Sequence, residues 1–151
     1  MKKLALAILI FFSGSLASAD NEAGFVLGSA SGFSGMLDLG GGNAADLGLA
    51  WGSDSQLTIY ADYLFTNARR WNVRNVSNPL TLYYGLGFRL ENINSGKHDG
   101  KTSFGPRAPI GLHLEINNPN ISFFGELAPV LQLTPESEVE IMVGVGVRIR
   151  F

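Results

Sequence analysis

His113 and Glu115 stand two residues apart in GLHLEIN, and Ser122 follows nine residues after the histidine. Acyl transfer by a serine hydrolase needs a hydroxyl, an imidazole and a carboxylate that converge, so these are the residue types from which it could be built. The surrounding pattern argues against it. No GxSxG elbow is present to expose a strained nucleophile. His113 also lies in an alternating stretch, where it shares a side with charged residues and points away from the apolar side that a lipid substrate would approach. Two histidines, no cysteine and scattered carboxylates do not reach a metal-ligand set by spacing, and His98-Asp99 reads as loop polarity. Gly40-Gly41-Gly42 is followed by neither a lysine nor a helix, so it reads as a turn and not as a phosphate cradle. The sequence therefore supports no catalytic, cofactor or metal site, and a non-enzymatic protein is expected.

Charge of both signs nevertheless recurs at alternate positions. Arg89, Arg107, His113, Glu115, Glu126, Arg148 and Arg150 all fall opposite apolar neighbours. If that side is enclosed, its charges must be paired. The expected lumen polar network has Glu126 pairing with Arg107 or Arg148 and plugging the interior.

The elements that carry these residues have the period of two that belongs to β-strands. The pattern is clearest in the last thirteen residues, VEIMVGVGVRIRF, where every odd position from Val139 to Phe151 is apolar. The alternation recurs between turn signals. It predicts eight strands, at 24–30, 33–39, 45–51, 56–65, 80–91, 104–116, 121–133 and 139–151, with a polar loop at 92–103 and a longer polar stretch holding Arg69, Arg70, Trp71 and Arg74. The first three strands are short, at about seven residues, against the roughly 9–11 needed for a crossing. Pro106, Pro109 and Pro129 sit inside strands, so a bulge or a local break of pairing is expected near one rim.

Volume predicts which face is outside. The last four strands offer 27 apolar-face positions, mostly large, and an eight-stranded interior is only just wide enough for side chains. The apolar face must therefore look outward. The opposite face holds Gly85, Gly87, Gly105, Gly111, Gly144 and Gly146, which save space. The expected fold class is all-β, an eight-stranded antiparallel up-and-down transmembrane β-barrel over 24–151. The segment 92–103 would lie at the outer end, with both termini and the Arg69–Arg74 segment at the periplasmic end.

Residues 1–19 read as a cleaved signal peptide. Lys2 and Lys3 precede the apolar run Leu4–Phe12, and Ala17-Ser18-Ala19 supplies a cleavage site. Without the leader, nine basic residues remain against 13 acidic ones, and charged residues make up only 16% of the chain. There is no basic stripe for nucleic acid. The absence of cysteine removes disulfides and thiolate chemistry.

GFSGMLDL with ADLGLAW, LTIYADYLF, PLTLYYGLGFRL, and the tail from RAPIGLHLE to VEIMVGVGVRIRF together resemble the small eight-stranded outer-membrane proteins of the OmpA and OmpX type. The likeness covers nearly all of 24–151. It implies insertion among outer-membrane lipid, with Phe151 resembling the C-terminal signal read by barrel-assembly machinery. It implies no activity, cofactor or external partner, because one fold serves many roles. The expected role is structural or interactive in the cell envelope. A lipid-modifying or small transport barrel is the alternative, followed by a soluble exported β-barrel.

Overall fold

Alternating sequences pair into strands because each strand puts one set of side chains on each face of a common sheet. The computed structural model describes residues 20–52, 56–76, 78–94, 96 and 99–151. The leader, Ser53–Ser55 and His98 lie outside the described residues. The strands are β1 (Glu22–Gly28), β2 (Ser31–Gly40), β3 (Asn43–Trp51), β4 (Leu57–Trp71), β5 (Leu80–Asn92), β6 (Thr102–Arg107), β7 (Ile110–Asn117), β8 (Asn120–Gln132) and β9 (Glu138–Arg150). They form one antiparallel sheet in a ring-like arrangement. Neighbours in sequence pair in turn except β6 and β7, which each pair with β5 and β8, and β1 also pairs with β9.

Nine strands occupy eight places in this ring. β6 and β7 both lie between β5 and β8, where a single strand over 104–116 was expected. Pro109 interrupts the ladder without shifting it. Gly87 pairs with Arg107 and Tyr84 with Ile110, which is one continuous register. Gly85 still donates to the Pro109 carbonyl at 2.9 Å, and Ala108 donates to the Pro129 carbonyl at 3.0 Å. On the β8 side the ladder is sparser: β6 pairs there in register only at Arg107–Val130, and Phe104 then bridges Thr134, one residue out of that register. The interruption at Pro109 lies at mid-wall, while the irregularity between Arg107–Val130 and Phe104–Thr134 lies nearer the rim, where one was expected. Arg107 faces the middle of β5, and outward Phe104, Leu131 and Leu133 continue the apolar face beyond it.

Two further differences concern length. β2 and β3 reach ten and nine residues by extending into expected turns, whereas β1 has only seven. β4 runs on to Trp71, so Arg69, Arg70 and Trp71 belong to a strand and not to a loop. An irregularity between Phe65 and Arg69 hides this continuation from the alternating pattern.

The register fixes the shape. Partners followed once around the ring from Glu22 are Met36, Asp46, Asp62, Gly87, Arg107, Val130 and finally Glu140 on β9. The direct β9 partner of Glu22 is Arg150, ten residues further along. With eight places, that stagger tilts the strands by about 40°. β9, with 13 residues, then climbs roughly 33 Å, and β1, with seven, roughly 18 Å.

The two faces are sharply different. From Ala23 to Phe65, and again along β5 to β9, the described outward positions carry no charge. Leu86, Val139, Ile141 and Ile149 are 63–69% exposed. Aromatic rings cluster toward both ends of this face. Phe33–Trp51 and Phe88–Phe104 lie toward the end with the β5–β6 connection, and Tyr63–Phe65–Tyr84 toward the end that carries Asn21 and Phe151.

Inside, an apolar cluster of Ala30, Ala50, Ala128, Val130 and Met142 and another of Met36, Ala44, Leu64 and Tyr83 flank a charged middle layer. Three inward rings lie over the glycine paired with them on the next strand: Tyr60 on Gly48, Tyr83 on Gly111 and Phe124 on Gly146. A Cβ at any of these glycines would run into the ring. Gly146→Ala is therefore expected to cost about 1–3 kcal/mol through overpacking. Gly125→Ala, whose Cβ would meet only Val145 at 3.8 Å, should be nearly neutral. Chemical denaturation of the two variants checks this, and equal midpoints would refute the stacking account.

Candidate functional site

The candidate site is the charged interior, and each strand delivers its charge to that interior by parity. β9 supplies Arg148 and Arg150, β5 Arg89, β6 Arg107, β7 His113 and Glu115, and β8 Ser122 and Glu126. The first half of the chain adds three acids that meet them: Glu22 on β1, Asp46 on β3 and Asp62 on β4.

Arg148 is the most connected of these groups. Its guanidinium bonds Asp46 Oδ1 at 2.7 Å through Nη2, reaches Ser34 Oγ at 3.0 Å through Nε, and lies 3.7 Å from Glu22 Oε2. Its flat face covers the Phe124 ring at 3.9 Å. Arg107 repeats the arrangement one level away. It pairs with Glu126 through Nη2, meets Asp62 Oδ2 at 3.3 Å through Nε, and stacks on Tyr60 at 4.1 Å. Two layered stacks result, Gly146–Phe124–Arg148 and Gly48–Tyr60–Arg107. A desolvated cation–π contact contributes about 2 kcal/mol, and a guanidinium offers donors in its plane while its face packs on a ring.

The remaining basic groups also have partners. Arg89 bonds Glu140 at 2.7 Å and lies 3.7 Å from Glu91, which accepts from Thr58 at 2.8 Å. Arg150 bonds Glu115 at 2.9 Å and the Ile116 carbonyl at 3.1 Å. Every expected member of the polar network faces inward. Of the two partners expected for Glu126, the structure supplies Arg107, while Arg148 turns to Asp46, Glu22 and Ser34.

His113, Ser122 and Glu115 do not assemble as a hydrolase would need. Ser122 Oγ donates to Glu22 Oε2 at 2.8 Å, and His113 Nε2 also contacts Glu22, at 3.0 Å. The carboxylate thus stands between hydroxyl and imidazole, so the imidazole cannot take the serine proton directly. Glu22 lies 91 residues from His113 and precedes the first clear alternation, so spacing gave no sign of it. Asp46 and Asp62 were likewise not among the expected members of the network.

Two cavities bear on what the interior can do. At mid-height the space beside Tyr60, Arg107 and Glu126 amounts to about 20 Å³. At the end carrying Asn21 and Phe151, a cavity of about 420 Å³ opens between Asp38, Gly41, Arg70 and Thr81, with His113 and Glu115 in its wall. Phe151 itself is exposed, and its amide donates to the Asn21 carbonyl at 2.9 Å.

Comparison with known proteins finds no matching family model, no matching curated protein and no matching solved structure.

The interior pairs predict an asymmetric stability map. Arg148→Met leaves Asp46 and Glu22 buried without their cation and is expected to cost about 3–5 kcal/mol. Arg69→Ala, on the exposed end of β4, should change stability by less than about 0.5 kcal/mol. Urea unfolding of each variant against the wild type measures both.

Proposed function

We propose that this chain is a small eight-stranded outer-membrane β-barrel with a plugged, charge-paired interior, serving a structural or interaction role in a bacterial envelope and carrying no enzymatic activity. The observation that carries this reading is the outer face. From Ala23 to Phe65 and along β5 to β9 it is apolar and uncharged, with Arg69 at the far end of β4 the exception, and nearly all the strand charge is turned inward. Water would not sustain such a surface, because contiguous exposed apolar patches on soluble monomers rarely exceed a few hundred Å². Lipid favours it, and a lipid-facing Arg or Lys at the bilayer midplane costs about 2–4 kcal/mol. The paired aromatic levels fit the girdles of such barrels.

The interior argues for a plug over a pore. Arg107, Glu126, Asp62 and Tyr60 pack against one another across the middle, and the cavity between them and Ala30, Ala50 and Met142 is only about 20 Å³. On this reading residues 1–19 are the export signal, outer-membrane lipid is the surrounding partner, and Phe151 is read by barrel-assembly machinery. The Ser122–Glu22–His113 order sets a carboxylate, and not the imidazole, against the Ser122 hydroxyl, which counts against the lipid-modifying alternative at that trio.

Two measurements test the proposal. Membrane fractions should retain the protein through a high-salt wash, and the folded form should shift its gel mobility on boiling. Release by salt with no shift would defeat the membrane assignment. Outward Leu86→Arg should lower folding into lipid bilayers by about 2–4 kcal/mol. In planar bilayers the wild type should show no large, stable conductance, and a steady open pore would overturn the plug.

A further inference from the structure

We infer that Glu22, His113 and Glu115 form a divalent-cation site, of zinc-type chemistry, at the inner end of the 420 Å³ cavity. One ring nitrogen of His113 and one oxygen from each carboxylate lie within 4.8 Å of one another. Glu22 Oε1 is 3.0 Å from Nε2 and Glu115 Oε1 is 3.7 Å from Nδ1. The two carboxylates face different ring nitrogens, and a four-coordinate zinc with ligands at about 2.0–2.2 Å takes one nitrogen and sets its donors roughly 3.4 Å apart, so on binding one carboxylate swings toward the nitrogen that the other already faces and the set closes from within 4.8 Å.

The carboxylates are already oriented for this. Glu22 is held through Oε2 by the Ser122 hydroxyl at 2.8 Å and by Arg148 at 3.7 Å. Glu115 is held through Oε2 by Arg150 at 2.9 Å. In both cases Oε1 remains turned toward the imidazole. Anchoring the far oxygen of a ligand carboxylate is how outer partners fix metal ligands. Three protein ligands leave a fourth position, and His113 and Glu115 line the cavity from which water or a ligand would fill it.

Charge favours a cation at this place. The cavity wall carries Asp20, Asp38 and Glu115 against Arg70, and a cleft lined by one sign of charge concentrates the opposite ion. Among the described inward strand residues, Glu22, Asp38, Asp46, Asp62, Glu91, Glu115, Glu126, Glu138 and Glu140 stand against five guanidiniums, those of Arg70, Arg89, Arg107, Arg148 and Arg150. A mixed nitrogen and oxygen set suits zinc better than calcium or magnesium, which take oxygen ligands.

The competing account is a protonated His113 bridging two acids with no metal. Titration calorimetry of the full folded chain in detergent, with zinc ion alone as the probe, separates the two. The expected result is saturable one-to-one binding and a raised unfolding midpoint with zinc. Affinity should fall at least tenfold in His113→Gln and in Glu115→Gln. Glu115 is partly exposed, so its variant keeps the test decisive if the buried histidine variant fails to fold. No saturable binding by the wild type overturns the site, and so does unchanged affinity in Glu115→Gln. Neither result touches the membrane proposal, which the wash and mobility experiments decide separately.

Discussion

Eight strand places staggered by ten residues leave an interior only wide enough for side chains, and everything inside depends on that narrowness. A charge admitted there loses most of its water and needs a partner within reach. The stagger supplies one. It brings Arg148 from the last strand level with Ser34, Asp46 and Glu22 from the first three. It brings Arg107 level with Asp62 on one side and Glu126 on the other. Because side chains alternate, a slip of one residue in any strand would exchange its two faces. It would turn guanidiniums outward and aliphatic side chains into a space that cannot hold them. The charged layer therefore acts as a register lock as well as a filling.

Aromatic rings make the lock compact. Phe124 and Tyr60 lie flat because their partners across the ladder are glycines, and the space thus saved is taken by a guanidinium on the other face of each ring. Glycines spaced along the inward face of β9 and β3 are thus part of the electrostatics. They set how far the ring sits from its own wall and hence where an arginine can rest.

Period-two alternation was enough to show the strands and to divide their faces, since each residue's side follows from its parity alone. Pairing across the ring was harder to read. That Arg148 would choose Asp46 depends on the accumulated stagger of β1 to β3 against β9, which no single strand displays. Glu22 was missed because it precedes the apolar alternation that marks β1. The continuation of β4 was missed because Thr66-Asn67-Ala68 breaks the pattern before Arg69 resumes pairing with Leu82. The division of one expected strand into β6 and β7 came from Pro109. The proline signalled an interruption but not that the register would pass through it unchanged.

The unequal heights of β1 and β9 give the wall a low side and a high side. Their last paired residues are Gly28 and Gly144, Ser29 adds a bond to the Val143 carbonyl at 2.8 Å, and β9 continues upward from there to Glu138 beyond the end of β1. If the proposed membrane setting holds, lipid around such a wall would not adopt one thickness. It would thin or dip beside β1 and its turn and stand taller beside the β8–β9 hairpin, at a modest elastic cost for each ångström of mismatch. A ring of this outline would lean in the membrane and carry a shallow dimple on one flank. Neighbouring proteins with short hydrophobic walls would find that flank the least costly place to sit.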